Sequence, residues 1–349
     1  MRLDRPPPEQ AYLTLPESFG RRFAVFVDTE EEFDWSRPHD RDARSTRAAE
    51  AVPGMQARFE ARGVKPVYLV DHPIATDKRA VEILRDVAER GGCDIGTQLH
   101  PWVNPPFEEE LSLRNSFAGN LPAELEHAKI ASLTDAIAQS FGRRPIVYRA
   151  GRYGVGPNTA SILEALGYRA DASVRPLFDY GGEGGPDFSA VRPIPYRVGA
   201  LLEIPLSAAV NGPLGTAGTR LYRVIDRWPT VRALASRAGA LSRVSLTPEG
   251  MPAKEVATAV RRLAEQGVRL FTFSFHSPSL EPGHTPYVRT ADDLSRFHAW
   301  WEEIFEFLER EGIAPATLDE ILDAAAASNR TAAPLSGARS REQGPVAQR

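Results

Sequence analysis

Short apolar runs alternate with longer amphipathic stretches through most of the chain. The short runs are rich in β-branched and aromatic residues and favour strands, whereas the longer stretches repeat apolar residues every three or four positions and favour helices. Strands are predicted at residues 23–27, 66–70, 93–96, 145–148, 168–170, 201–204 and 270–275, with a weaker one at 243–246. Helices are predicted to include residues 81–87, 121–141, 159–166, 256–264 and 294–308. Because strands and helices alternate, we predict βα units around a parallel sheet.

Charged or titratable side chains follow six of the predicted strands. They are Asp28 with Glu30, Asp71 with His72, His100, Arg149, Asp171 and His276. A closed parallel barrel brings the carboxyl ends of its strands to one face, where the active sites of such barrels lie. An open doubly wound sheet gathers fewer strand ends in its ligand crevice. The breadth of the pattern therefore favours a (β/α) barrel with one polar pocket.

A single barrel domain is predicted for residues 19–327. Residues 1–18 are rich in proline and are expected to form a flexible amino-terminal segment. Residues 328–349 are small, polar and charged without apolar periodicity, and they are expected to form a disordered tail.

Charge and cysteine content narrow the function classes. The chain has 42 Lys and Arg against 46 Asp and Glu, a formal net charge of -4, so it lacks the basic excess that nucleic-acid binding requires. A neutral sugar is the better expectation for a substrate. The single cysteine, Cys93, excludes an intrachain disulfide and a thiolate metal cluster. With neither a secretory signal nor an apolar run long enough to cross a bilayer, the sequence predicts a cytoplasmic protein.

An acidic segment, VDTEEEFDW at residues 27–35, follows the first predicted strand. Crowded carboxylates raise one another's pKa unless a cation or hydrogen-bond donor lies among them, so the segment indicates a metal site or a general base. A solvated acidic loop is the alternative interpretation. Phe33 and Trp35 within the segment favour the functional one.

A single histidine, His100, lies between a predicted strand and a proline-rich loop in DIGTQLHPWVNPP, residues 94–106. Histidine is the commonest metal ligand and proton shuttle near neutral pH. Trp102 and the prolines provide a rigid apolar wall of the kind on which sugar rings stack. A structural histidine is the alternative.

Two further motifs follow strands, YRAGRYG at residues 148–154 and FSFHSPS at residues 273–279. Arg149 supplies fixed donors for a carboxylate or a developing oxyanion, or else makes a structural ion pair with the acidic segment. His276 is placed as a general acid would be. A serine nucleophile is disfavoured, because no G-x-S-x-G elbow is present.

Taken in order, these motifs resemble the polysaccharide deacetylase family, also called NodB homology or carbohydrate esterase 4, from about Phe23 to Leu322. The resemblance implies a distorted (β/α)7-8 barrel and the metal-dependent removal of acetyl groups from N-acetylated sugars. The Gln98-Leu99-His100-Pro101-Trp102 form is similar to a divergent, WalW-like subgroup associated with surface-polysaccharide loci.

The resemblance implies a role for each matching residue. Asp28 falls on the family's base, and Glu30 occupies the metal-ligand position where the family has Asp. Arg149 falls on the residue that positions the base, and His276 on the general acid. The segment Asp171-Ala172-Ser173 is similar to the family's fourth motif.

The family's two metal-binding histidines fall on Gln98 and Trp102, with His100 midway between them. The resemblance therefore implies a rebuilt site for a divalent metal, with zinc the first choice. The implied ligands are Glu30, His100 and either His72 or Asp28. The implied substrate-binding residues are Trp35, Gln98, Trp102, Arg152, Tyr153 and Asp171.

Two other functions are open at this point. A noncatalytic carbohydrate-binding barrel is compatible with the loss of the usual histidine pair. A glycosidase would use two carboxylates, such as Asp28 or Glu30 with Glu203.

Overall fold

The computed structural model describes residues 1–213 and 241–331, with residues 218, 221, 222 and 228 between them. In these ranges the strands are β1 (Arg22–Thr29), β2 (Val67–Val70), β3 (Asp94–Leu99), β4 (Val147–Ala150), β5 (Ala170–Asp171), β6 (Tyr196–Val198), β7 (Leu201–Glu203), β8 (Ala208–Asn211), β9 (Ser242–Ser245), β10 (Leu270–His276) and β11 (Ala314–Pro315). The helices are α1 (Val52–Glu60), α2 (His72–Thr76), α3 (Lys78–Glu89), α4 (Ala123–Phe141), α5 (Thr159–Ala165), α6 (Ala253–Glu265), α7 (Ala291–Arg310) and α8 (Leu318–Thr331). Every strand and helix predicted above overlaps one of these elements.

One curved sheet has the strand order β10-β1-β2-β3-β4-β5-β7-β6, with β11 beside the start of β1. Its pairs from β10 to β7 are parallel, and β6 returns antiparallel to β7. The antiparallel pair of β8 and β9 connects back towards β10, because Thr272 N donates to Ser207 Oγ at 3.0 Å and Ser274 N donates to Leu246 O at 3.1 Å. The sheet thus curls into the predicted distorted (β/α) barrel.

Alternation along the strands separates two cores, because successive side chains of a strand face opposite sides of the sheet. On β1, Val25 and Val27 belong to the larger core under the helices. Ala24 and Phe26 belong to a second core inside the barrel, which α8 helps to fill. Asp28 continues this inward series, so the end of β1 delivers a carboxylate to the barrel mouth.

Local signals explain where the helices begin and end. Asp77 caps α3 by accepting a hydrogen bond from Ala80 N at 2.8 Å, as expected of an aspartate before a helix. Gly142 ends α4 in the left-handed conformation, with a φ of 73°, and its N–H donates to Ala138 O.

The amino-terminal residues 1–18 pack against the domain. Leu3 and Leu15 are buried, and Leu13 N donates to Pro195 O at 2.8 Å. The prediction of a flexible segment did not anticipate these contacts, because its apolar residues are too widely spaced to show a period. At the other end, α8 extends to Thr331, past the predicted tail boundary at residue 328, and residues 332–349 of that tail lie outside the described residues. No helix in the described ranges has the length and apolar character needed to cross a membrane.

Candidate active site

A cavity of about 420 Å³ opens where the parallel strands end. The predicted site residues that line it are Asp28, Glu30, Trp35, Gln98, His100, Trp102, Arg149, Arg152, Tyr153 and His276. Two predicted site residues, His72 and Asp171, are not part of its lining. The structure therefore brings side chains from four of the predicted strand ends into one pocket.

Asp28, Arg149 and His276 meet at the base of this pocket. In the sheet, Asp28 is the partner of His276, and Arg149 is the partner of Gln98. Arg149 Nη1 donates to Asp28 Oδ1, and Arg149 Nε donates to Ala172 O at 2.8 Å. The other carboxylate oxygen, Asp28 Oδ2, lies 3.7 Å from His276 Nε2. Arg149 thus fixes the carboxylate and leaves one of its oxygens turned towards the histidine.

Glu249, which the sequence analysis did not single out, holds His276. Its Oε2 lies 2.7 Å from His276 Nδ1, and its Oε1 accepts hydrogen bonds from His276 N at 3.1 Å and from Ser279 Oγ at 2.6 Å. Burial disfavours the charged imidazole, but the negative charges of Glu249 and Glu30 outweigh burial and raise the pKa of His276 to about 10. His276 is therefore protonated at neutral pH and is suited to donate a proton.

Glu30, Gln98 and His100 form a second group on the pocket wall. Gln98 Nε2 donates to Glu30 Oε2 at 3.0 Å and lies 3.3 Å from His100 Nε2. His100 Nε2 is 3.4 Å from Glu30 Oε2. Burial is the main reason that the pKa of Glu30 rises to about 8. A cation or hydrogen-bond donor that entered the pocket beside Glu30 would stabilise the ionised form of this carboxyl group.

A buried, hydrogen-bonded group of side chains lies behind His100. The sequence analysis did not predict that these side chains would contact one another. His100 Nδ1 lies 2.8 Å from Glu31 Oε2, and Trp102 Nε1 donates to Glu31 Oε1 at 2.7 Å. Glu31 N donates to Asp71 Oδ2 at 2.7 Å, and Asp71 Oδ1 caps α2 by accepting from Ile74 N. Burial raises the pKa of Glu31 to about 7. These contacts fix the ring of His100 and direct its Nε2 at the pocket.

The donor chemistry fits a divalent cation at the Glu30 side of the pocket. A carboxylate on the far nitrogen of a histidine, as Glu31 is to His100, is the usual support of a metal-binding imidazole. Glu30 Oε1 and Gln98 Oε1 are buried oxygens that have no hydrogen-bond partner in the described part of the chain. His72 begins α2 and does not line the pocket, whereas Glu30, His100 and Asp28, the alternative third ligand, all line it.

Two groups of three potential ligands occur in the described part of the chain. Their ligand atoms lie within 4.8 Å of one another in Glu31, Asp71 and His100, and in Glu32, Glu281 and His284. The first group is buried behind the pocket. In the second, both ring nitrogens of His284 face carboxylates, at 3.4 Å from Glu32 and 3.3 Å from Glu281.

Aromatic rings form the walls of the pocket. Trp35 lies edge-on to His276 with a centroid distance of 4.9 Å and stacks on Phe33 at 5.1 Å. Trp35 is 37% exposed, whereas Trp102 is 1% exposed and is stacked between His39 and His100. Of the two predicted tryptophans, Trp35 therefore offers an open face for a sugar ring.

The turn after β4 has a strained backbone. Arg152 and Tyr153 have positive φ values of 56° and 61°, which non-glycine residues rarely adopt. A Cβ on Gly151 would lie 2.3 Å from His100 Cδ2, so the turn approaches the histidine as only glycine allows. Arg152 pairs with Glu183 at the pocket rim.

Asp171 supports this turn from behind the pocket. Its Oδ1 accepts from Ser173 Oγ at 2.6 Å, and the same hydroxyl accepts from Ala150 N at 2.8 Å. Glu203, the second carboxylate of the glycosidase alternative, accepts from Val174 N and is not part of the pocket lining. Both residues therefore hold the loops after β4 and β5.

Comparisons with known proteins show the fold. No protein-family model matches the sequence, and no curated protein matches it. The solved structure of a probable polysaccharide deacetylase from Pseudomonas aeruginosa PAO1 has a TM-score of 0.52 and 14% identity, covering 91% of this chain and 94% of that one. For the peptidoglycan deacetylase PdaC from Bacillus subtilis, the TM-score is 0.41 at 12% identity, with 89% and 95% covered. For BA3943, a CE4 family pseudoenzyme from Bacillus anthracis, it is 0.44 at 7% identity, with 87% and 66% covered. The likeness to the Pseudomonas structure agrees with the distorted barrel that the motifs predicted.

Proposed function

We propose that this protein is a hydrolase of the polysaccharide deacetylase type, which removes acetyl groups from N-acetylated sugars. One observation carries the proposal: a buried aspartate fixed by an arginine lies 3.7 Å from a glutamate-held histidine at the base of a pocket walled by aromatic rings. Amide hydrolysis requires a base to activate water and an acid to protonate the leaving amine, and Asp28 and His276 provide the pair.

Each residue has a defined task in this reaction. Asp28, held by Arg149, takes a proton from the attacking water. Backbone N–H groups of the turn at Gly151–Tyr153 stabilise the developing oxyanion. His276, held by Glu249, gives its proton to the departing sugar nitrogen. Trp35 contacts the sugar ring and keeps it over the two groups.

Glu30 and His100 would hold a divalent cation at the pocket wall. The chemistry supplied by a cation at such a position is polarisation of the acetyl carbonyl and a lower pKa for water. Zinc is the metal to test first, because an imidazole and a carboxylate are among its usual ligands. The WalW-like subgroup and a cytoplasmic location stay predictions.

The function is tested by measuring two products in parallel. Purified protein incubated with a panel of N-acetylated sugars is expected to release acetate without creating new reducing ends. New reducing ends without acetate would support a glycosidase instead. The absence of both products would support the second candidate, a noncatalytic carbohydrate-binding barrel, which the residues Gln98 and Trp102 favour because they replace the usual histidine pair.

Metal binding is tested separately from activity. We expect about one divalent cation per chain by elemental analysis. We expect Glu30→Gln to weaken its binding by at least about 10- to 100-fold, the loss caused by removing even a hydrogen-bond partner of a metal ligand, measured by competition with a chelator. Glu281→Gln is the matched control, because Glu281 belongs to the other acidic group, beside His284. A loss of metal in the control but not in Glu30→Gln would place the cation at the Glu32, Glu281 and His284 group.

A further inference from the structure

Arg175 is a pocket residue whose positive charge has no carboxylate partner among the described residues. It follows β5 and lines the cavity. Nη1 donates to Tyr180 Oη at 3.2 Å, and Nη2 donates to Ser245 Oγ at 3.4 Å. Its Nε is buried and has no partner among the described residues. Within the described residues, the five N–H donors of Arg175 therefore make two hydrogen bonds, both long and both to neutral hydroxyls.

The other charged donors of the pocket differ from Arg175 in this respect. Each has an acidic partner: Arg149 with Asp28, Arg152 with Glu183, Arg37 with Asp34, and His276 with Glu249. Within the described ranges Arg175 makes no ion pair. The unsatisfied positive charge of the pocket is thus concentrated at one guanidinium.

Aromatic rings hold Arg175 in place without neutralising it. Its Cζ lies 3.9 Å from the centroid of the Phe178 ring and 5.0 Å from that of Tyr153. Cation–π contacts of this kind orient a guanidinium but leave its N–H groups free to donate. A positive charge buried without a counter-charge is unfavourable, so such a site is best stabilised by a ligand that supplies the negative charge.

We propose that the substrate is an N-acetylated sugar bearing an anionic group, which Arg175 binds. The planar fork of an arginine matches the two oxygens of a carboxylate or of a phosphate. This inference deepens the proposed function, since it names the substrate class of the same pocket. It replaces the expectation of a neutral sugar, which rested on the net charge of the whole chain.

Binding measurements test the inference without relying on turnover. The probes are N-acetylglucosamine, N-acetylmuramic acid, which adds a carboxylate, and N-acetylglucosamine 6-phosphate, titrated by calorimetry at low ionic strength. At least one anionic probe is expected to bind about tenfold more tightly than the neutral sugar, as one charge-assisted contact allows. Which anionic probe binds more tightly distinguishes a carboxylate from a phosphate ligand.

Variants assign the preference to Arg175. Arg175→Gln is expected to abolish it, and Arg175→Lys to retain part of it, because lysine keeps the charge but not the fork. Arg197→Gln is the matched control: Arg197 also makes no ion pair within the described ranges, but it lies outside the pocket on β6. Thermal unfolding of each variant shows whether it is folded.

Two results would overturn the inference: no tighter binding of either anionic probe, or a preference that survives unchanged in folded Arg175→Gln. A preference that depends on Arg175 in a protein releasing no acetate would instead sustain the anion site and refute the hydrolase. Acetate release that is equal for neutral and anionic sugars, and unaffected by Arg175→Gln, would instead support the hydrolase and refute the anion site.

Discussion

Asp28→Asn is expected to lower acetate release by about 10²- to 10⁴-fold, the range that a positioned general base contributes. Asparagine has nearly the same shape and still offers an oxygen to Arg149 Nη1, but it cannot accept the proton of the attacking water. The change also leaves the buried guanidinium of Arg149 without its counter-charge, which is expected to cost about 3 kcal/mol of folding stability. Acetate release and thermal unfolding should therefore be measured on the same preparation.

Two companion variants separate lost chemistry from lost structure. Asp28→Glu keeps the negative charge beside Arg149 and is expected to remain more stable than Asp28→Asn while still turning over slowly. Asp135→Asn removes an exposed carboxylate on α4 that pairs with Arg144, and it should change neither property. Undiminished acetate release from folded Asp28→Asn would remove Asp28 from the mechanism.

The fold was predictable because its strands carry a strong local signal. The apolar run at residues 270–275 became β10, and the run at residues 23–27 became the centre of β1. The strands β8 (AAVN) and β11 (AP) were not predicted, because alanine, asparagine and proline are depleted in strands. The last four residues of α8, Ser328-Asn329-Arg330-Thr331, looked like the start of a tail because they are polar and continue no apolar period.

The candidate site was predictable as far as strand ends determine it. The inward series on β1 places Asp28 in the pocket, and the same rule applies to Arg149 and His276. Strand ends alone cannot say which way a side chain turns after the strand has finished. Asp171 ends β5 and binds Ser173, and His72 begins a helix, although each follows a predicted strand as the pocket residues do.

Glu249 could have been predicted from the same signal, a titratable residue that follows a predicted strand. It lies in LTPEGMP, residues 246–252, a turn directly after the weaker strand prediction at residues 243–246. A carboxylate in that position satisfies the rule that selected the other site residues. Arg175 differs, because its importance rests on its having no ion pair among the described residues, and no local sequence pattern indicates that an arginine lacks one.

Glu249→Gln is expected to change the pH dependence of acetate release. Glutamine preserves an oxygen that can accept from His276 Nδ1, but it removes the negative charge that most strongly raises the pKa of His276. Asp28 and Glu30 still face the imidazole, so its pKa should fall from about 10 towards, but not to, the ordinary value. The loss of activity at alkaline pH should therefore begin at a lower pH in the variant, with a rate about tenfold lower at pH 9.

The same charge pair makes folding stability depend on pH. A histidine whose pKa is raised on folding contributes stability that is full below its unfolded pKa of about 6.5 and is lost as the pH rises through the folded value. The wild-type protein should thus exceed Glu249→Gln in unfolding temperature by more at pH 6 than at pH 10.5.

Glu265→Gln, an exposed change at the end of α6, is the control. It should leave the pH dependence of acetate release and of the unfolding temperature unchanged. If Glu249 only supported the loop sterically, activity would fall by the same factor at every pH. A uniform fall of that kind would contradict the proposed protonation of the leaving amine by a Glu249-held His276.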